Sequence, residues 1–229
     1  MPLHDHAIAF DLDGTLVDTA PDLVRALNVC LEGSAVQTIS VGDVRPLIGQ
    51  GAQAMIERAF ARSKVRPGTG EVHGRLEVFL RHYSAHLSDH SQPFAGAPGC
   101  LRELRSAGAS LRICTNKPRA LTHKLLQALD LAQGFDAIVC PEDVAARKPD
   151  AAHVLAAIAP HAPRCALMVG DSINDLQAAR AAGVAAILFS HGYSDPPARE
   201  LGADLVLDDF AGLADAVLAH FGAGSDGQP

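Results

Sequence analysis

Ala7-Ile8-Ala9-Phe10-Asp11-Leu12-Asp13-Gly14-Thr15-Leu16 sets four apolar residues directly before two carboxylates spaced one residue apart. The apolar run predicts a buried strand. The carboxylates then fall at its C-terminal end, where ligands bind in open parallel α/β sheets. Side chains alternate about a strand axis, so Asp11 and Asp13 point differently and can divide the work, one attacking and the other exchanging protons. Gly14 lets the chain leave the strand through torsions that other residues resist, and Thr15 adds a hydroxyl at the same turn. A solvated acidic turn accounts for two aspartates alone, but far less well for the whole run after an apolar strand.

Further apolar runs follow at 111–115, 137–140, 166–170, 185–189 and 205–207, most of them separated by helical stretches, the clearest at 118–129, 151–158, 175–182 and 211–220. This alternation predicts an α/β fold, a Rossmann-like parallel sheet with helices on both faces. Residues 17–92 break it, because their periodicity is helical throughout and they are too much chain for one crossover. They read as an inserted all-helical cap domain, with helices near 21–31, 41–47, 53–63 and 71–87. The expected division is a core of 1–16 and 93–221, a cap of 17–92, and a flexible tail of 222–229. Linkers are expected at 17–19 and at 91–99, whose Pro and Gly content disfavours helix, with 17–19 and 91–96 serving as the hinge of a moving cap.

The chain has 229 residues, 48% hydrophobic, enough for one core and a smaller second unit. A net charge of -7 without a long Lys/Arg run argues against nucleic acid or an anionic membrane as partner. No apolar run reaches the roughly 20 residues of a membrane span, and no signal-peptide core precedes the first strand, so the cytoplasm is expected. Five cysteines, odd in number and without a CxxC pair, read as reduced, mostly buried thiols. His82, His86 and His90 read as the partly solvated side of a helix with apolar face Val72, Leu76, Phe79, Leu80, Tyr83 and Leu87, not as a metal site. The choice between monomer and homodimer stays open.

Three more polar clusters stand at strand ends. Thr115-Asn116-Lys117 offers a hydroxyl and backbone N–H groups to phosphate oxygens, although an N-cap would look the same. Arg147-Lys148-Pro149-Asp150 leads into a helix and supplies a cation for a transferring phosphoryl group. Val169-Gly170-Asp171-Ser172-Ile173-Asn174-Asp175 adds two carboxylates. Two like charges about 4 Å apart repel by roughly 4 kcal/mol at an effective dielectric near 20, so the four aspartates together call for a cation, a proton or both. Oxygen ligands alone favour Mg²⁺ over zinc.

With these motifs in this order, Asp11-Leu12-Asp13-Gly14-Thr15, Thr115-Asn116, Lys148-Pro149 and Gly170-Asp171-Ser172-Ile173-Asn174-Asp175, the chain resembles the haloacid dehalogenase superfamily over nearly its whole length. The stretches 10–23 and 169–183 look most like phosphoglycolate phosphatases. The resemblance implies a Mg²⁺-dependent phosphomonoester hydrolase acting on a small phosphorylated metabolite, 2-phosphoglycolate first. Asp11 would become an aspartyl-phosphate, while Asp13 would protonate the leaving oxygen and later activate water. Thr115, Asn116 and Lys148 would hold the phosphoryl group, near Gly14. Mg²⁺ would be bound by the Asp11 side chain, the Asp13 carbonyl and the Asp171 side chain, with Asp175 behind them.

The segment Arg45-Pro46-Leu47-Ile48-Gly49-Gln50-Gly51 resembles the family's substrate-facing cap loop. It implies Arg45 as partner of a substrate carboxylate, with Gly49 and Gly51 letting backbone approach the ligand. Two departures, Cys140-Pro141-Glu142-Asp143 in place of a Gly-rich segment and Asp150-Ala151 after Lys148-Pro149, remove no catalytic group but loosen the inference of substrate. A sugar-phosphate or amino-sugar-phosphate phosphatase, a pyrophosphatase and a phosphomutase share the chemistry. A dehalogenase has no use for Asp13, and a ligand-binding module without turnover has no use for the full set.

Overall fold

The computed structural model describes residues 3–49 and 51–223. Its first half runs β1 (Ala7–Phe10), β2 (Val17–Asp18), α1 (Ala20–Leu31), α2 (Val41–Val44), α3 (Ala52–Arg62), α4 (Glu71–His86) and β3 (Gln92–Pro93). The second runs α5 (Ala97–Ser106), β4 (Ser110–Cys114), α6 (Arg119–Ala128), β5 (Ala137–Val139), α7 (Ala151–Ile158), β6 (Ala166–Gly170), α8 (Ile173–Ala182), β7 (Ala185–Phe189), β8 (Leu205–Leu207) and α9 (Leu213–Ala223).

Six strands form one parallel sheet in the order β5-β4-β1-β6-β7-β8. The chain builds outward from β1 in one direction, then returns to build outward in the other, and this reversal opens a crevice at the strands' C-terminal ends. Register aligns those ends: Phe10 lies opposite Ile113 on one side and Val169 on the other. The residues that follow each strand therefore arrive at the same level.

Strand alternation sorts the two faces. Ile8, Phe10, Leu111, Ile113, Leu167 and Val169 join the core that includes Leu101 and Leu104 of α5, Leu125 of α6 and Val217 of α9. Ala7, Ala9, Ala166 and Met168 face Val154 and Ile158 of α7 and Leu176 and Ala179 of α8. Small residues dominate that second face, so α7 and α8 sit close to the strands, while bulkier side chains fill the first. Helices thus cover both faces of a Rossmann-like sheet.

Between β1 and α5 stands the helical insertion, in which α4 packs against both α1 and α3. Its entry and exit strands pair antiparallel as a two-stranded ribbon, Val17 opposite Pro93 and Asp18 opposite Gln92. The stretches expected as plain linkers thus hydrogen-bond to one another. The expected 41–47 helix divides into α2 and a 3-10 turn at Arg45–Leu47. Leu80, expected on the buried face of α4, is 39% exposed.

Two expectations need correction. Residues 97–99, read as linker, begin α5, with Pro98 in its first turn, where a missing N–H removes no helical hydrogen bond. Cys100, Leu101 and Leu104 bury the inner face of that helix. The tail begins later than expected, because Phe221 packs on His6 with ring centroids 4.2 Å apart and the last helix extends through Gly222 to Ala223. Residues 224–229 of the expected tail, and Gln50 of the cap loop, lie outside the described residues.

All five cysteines are free, four of them buried. Among the described residues no helix is long and apolar enough to cross a membrane.

Candidate active site

Asp11 leaves β1 with its backbone N–H donating to Val169 O at 2.9 Å, which extends the sheet ladder by one step and fixes the carboxylate above the strand ends. The chain then tightens: the N–H groups of Leu16 and Val17 both donate to Leu12 O at 3.0 Å. Gly14 makes this turn at φ +84°, and a Cβ there would stand 2.7 Å from Asp171 Oδ2 and 2.8 Å from the Tyr193 ring. Glycine is required both for the torsion and for the approach of the Asp171 carboxylate.

The two aspartates of the turn meet different cations. Lys148 Nζ stands 2.9 Å from Asp11 Oδ1 and donates to Asp175 Oδ1 and to Cys114 O, each at 2.6 Å. Lys117 Nζ donates to Asp13 Oδ1 at 2.9 Å and to Tyr83 Oη at 2.7 Å. Both lysines are buried. Burial works against each charge, but the partners beside it, Asp11 and Asp175 for Lys148 and Asp13 and Tyr83 for Lys117, together outweigh it and hold the ammonium protonated.

Asp171, just past β6, accepts from Thr15 Oγ1 at 2.8 Å and from the Tyr193 backbone N–H at 2.7 Å. At the start of α8, Asp175 Oδ2 accepts from Ser172 Oγ at 2.6 Å and from the N–H groups of Ser172 and Asp171 at 3.0 and 3.2 Å. This is a capping box in which the orphan N–H groups of the helix are satisfied by a side chain that also receives Lys148. Asp175 is therefore fully engaged.

Asp11, Asp171 and Asp175 each bring a carboxylate oxygen within 4.8 Å of the other two. Burial, first, and the neighbouring carboxylates push the Asp11 carboxyl up to about 7 even with Lys148 opposing, and raise Asp171 well above its ordinary range. Four carboxylates here face two ammonium groups. The donor set, all oxygen and in excess negative charge, fits a hard divalent cation such as Mg²⁺, while Asp175 is also engaged by Lys148.

The phosphate-binding candidates surround this floor. Thr115 Oγ1 accepts from the Lys117 N–H at 3.1 Å, and Asn116 Nδ2 donates to Lys148 O at 3.0 Å, so β4 and the loop before α7 are tied at the site. Above them a cavity of about 380 Å³ is lined by Asp11, Asp13, Thr115, Asn116 and Lys148 from the core and by Gly49, Gly51, Leu80 and Tyr83 from the insertion. Leu80 is exposed because it forms part of this wall. Asn174 Nδ2 donates to Gly49 O at 3.2 Å, holding the cap loop over the core.

Arg45 sits elsewhere. Its guanidinium reaches Asp18 Oδ2 and His191 O, each at 3.3 Å, and lies 5.6 Å from the centre of the Tyr193 ring. Arg147, quoted beside Lys148 but given no role by the sequence, lines the cavity instead. Sequence reasoning also passed over Lys117, although it follows Thr115-Asn116, and Tyr83, which was read as packing. Tyr193 carried no local signal. Its hydroxyl donates to Asp18 Oδ1 at 2.6 Å and accepts from the N–H groups of Thr19 and Ala20 at 2.7 and 3.0 Å.

A carboxylate floor at the switch point of a parallel sheet, under a helical insertion, makes this an α/β protein with an aspartate-rich site. Residues 8–189 match the family model described as haloacid dehalogenase-like hydrolase, and the chain belongs to that family. It is 44% identical over 218 residues to a phosphoglycolate phosphatase of Agrobacterium fabrum, and 42% identical over 221 residues to one of Caulobacter vibrioides. Each comparison covers 94% of this chain and 93% of the relative. A crystal structure of a predicted phosphoglycolate phosphatase from Haemophilus somnus superimposes with a TM-score of 0.86 at 29% identity, covering 94% of this chain and 99% of that one.

Proposed function

We propose that this enzyme is a Mg²⁺-dependent phosphomonoesterase that acts through an aspartyl-phosphate on Asp11, with 2-phosphoglycolate as the leading substrate. The observation that carries the reading is the separation of Asp11 and Asp13 onto two lysines: one carboxylate lies at the cation site with Lys148, the other points to the cap side with Lys117. The relatives named phosphoglycolate phosphatase support the choice of substrate.

An Asp11 carboxylate oxygen attacks phosphorus, a new O–P bond forms, and the bond to the leaving oxygen breaks as that oxygen takes a proton from the Asp13 carboxyl. Asp13 then takes a proton from water, the resulting hydroxide attacks the aspartyl-phosphate, and phosphate leaves with Asp11 restored. Thr115, the Asn116 backbone and Lys148 hold the phosphoryl oxygens throughout. The Asp11 and Asp171 side chains and the Asp13 backbone carbonyl would hold Mg²⁺, which when bound offsets the repulsion between nucleophile and phosphate. The insertion excludes water above the floor and carries the groups that meet the leaving part of the substrate.

Phosphate release from a panel that includes 2-phosphoglycolate, sugar phosphates, amino-sugar phosphates and pyrophosphate tests this, with Mg²⁺ or EDTA and with Asp11→Asn as control. Metal-dependent turnover concentrated on 2-phosphoglycolate, abolished in Asp11→Asn, is expected. Turnover concentrated on another compound keeps the mechanism and replaces the substrate; undiminished turnover by Asp11→Asn removes the mechanism.

A further inference from the structure

We propose that Lys117 is the positioning residue of the leaving-group acid Asp13, and that its bond to Tyr83 makes the aim of that acid depend on whether the cap is closed. The inference rests on the hydrolytic reading above and adds to it a residue and a coupling that the reaction alone does not require.

Lys117 starts from a fixed backbone. Its N–H donates to Thr115 Oγ1 at 3.1 Å and its carbonyl accepts from Thr122 Oγ1, also at 3.1 Å, so both ends of the peptide unit are held by the core. From there the ammonium meets both oxygens of Asp13, at 2.9 and 3.3 Å, which sets the plane of the carboxylate as well as its position. The same ammonium donates to Tyr83 Oη at 2.7 Å and lies 4.7 Å from the centre of that ring. Tyr83 belongs to α4 of the insertion, while Lys117 and Asp13 belong to the core. One buried cation is therefore shared between the acid and the helical insertion.

Stability alone is a poor reason for this arrangement. Removing an ammonium and a carboxylate from water costs several kcal/mol for each ion, and apolar residues of similar volume often pack as well or better. Lys117 is 6% exposed and Tyr83 only 2%, so the closed state leaves little water to substitute for a lost partner. When the cap swings away, Tyr83 leaves with α4 and the ammonium turns toward water. Asp13 then loses the fixed counter-charge that aims it over the cavity. Closure restores the aim: as the P–O bond breaks its electron pair stays on oxygen, the protonated Asp13 carboxyl gives its proton to that oxygen, and the Lys117 ammonium stabilises the carboxylate that remains, the ion pair seen here.

The test uses the dependence on leaving group, which a merely structural residue would not alter. For the full chain with Mg²⁺, kcat/KM is measured on 2-phosphoglycolate, whose alkoxide needs the proton, and on p-nitrophenyl phosphate, whose phenolate does not. This ratio reports transfer to Asp11 and is insensitive to the later hydrolysis. Lys117→Met should lower kcat/KM on the alkyl ester about 100-fold or more and on the aryl ester less than about tenfold, the gap expected when general-acid assistance is lost. Tyr83→Phe, which keeps the ring and removes only the hydroxyl, should shift the ratio in the same direction by a smaller factor, and Lys117→Arg should recover part of it.

Equal loss on both esters overturns the positioning role, and an unchanged ratio in Tyr83→Phe overturns the link to the cap. If Lys117→Met does not fold, Tyr83→Phe decides alone, since selective loss supports the proposal and uniform or absent loss removes it. A wild-type protein inactive on both esters and on the wider panel refutes the hydrolytic reading instead, a failure distinct from either.

Discussion

Lys148 and Asp175 meet at 2.6 Å with side chains 1% and 0% exposed, the most enclosed ion pair of the site. This bond engages Asp175, and Lys148 is held where it also faces Asp11. Lys148→Met would leave both carboxylates without their buried counter-charge. Breaking such a pair is expected to cost about 3–5 kcal/mol of stability, read from urea unfolding, together with at least a hundredfold fall in kcat. Unaltered stability would show that solvent reaches the pair.

Tyr193→Phe separates the two-stranded ribbon from the carboxylate floor. The variant loses a hydroxyl that joins Asp18 to the N–H groups of Thr19 and Ala20, but it keeps the backbone N–H that Asp171 accepts. The Ala20 N–H keeps Asp18 Oδ1 at 3.3 Å, but losing the hydroxyl from the Thr19 N–H should lower stability by about 1–3 kcal/mol in thermal or urea unfolding. Mg²⁺ affinity measured by calorimetry is expected to stay within about threefold of wild type, because the bond to Asp171 is a main-chain one. A large fall in affinity would show that the two sites move together.

Mg²⁺ affinity should depend on pH. Burial raises the Asp11 carboxyl to about 7 and Asp171 in the same direction, so the metal-free site holds protons at pH values where an exposed aspartate has none. The cation needs the deprotonated form, and binding must release those protons. Apparent affinity is therefore expected to fall by at least about tenfold per unit as pH drops below about 7. Calorimetry in buffers of different ionisation enthalpy measures both the affinity and the proton count; flat affinity from pH 5 to 8 would contradict the shift.

Two arginines compete for the substrate carboxylate, and kinetics should distinguish them. Arg147 lines the cavity, whereas Arg45 rests on Asp18 in the β2–β3 ribbon. Arg147→Met is expected to raise KM for 2-phosphoglycolate about tenfold or more with little change in kcat, the signature of a lost charged hydrogen bond. Arg45→Met should leave KM within about threefold. The opposite ranking would return recognition to Arg45, the residue implied by sequence resemblance.

What could be read from the sequence was local. Asp11, Asp13, Asp171 and Asp175 each follow an apolar strand within a few residues, and periodicity alone separated the helical insertion from the sheet. The start of α5 was missed because Pro98 and Gly99 weigh against helix in any residue-by-residue sum, although a proline in the first turn weighs nothing against it. Tyr193 and Asp18 are far apart in the chain and meet only in the fold, so no spacing foretold their bond. Lys117 stood in plain view, but its role depends on Tyr83, a residue that helical periodicity assigns to packing and that is also packed. Arg45 is the converse case: a motif gave the position, while its partners here, Asp18 and His191, follow from the three-dimensional arrangement.

The ribbon of Val17–Asp18 with Gln92–Pro93 brings the two ends of the insertion side by side. To the sheet, everything between those strands is one long surface loop attached at a single neck. A different set of helices, or a longer or shorter one, could be grafted there while β1, β4 and β6 kept their register, provided that it brought Lys117 a partner in place of Tyr83. The choice of leaving group can thus diversify in one module while the phosphorus chemistry stays constant in the other, and recombination at this neck is a direct route from one substrate to the next.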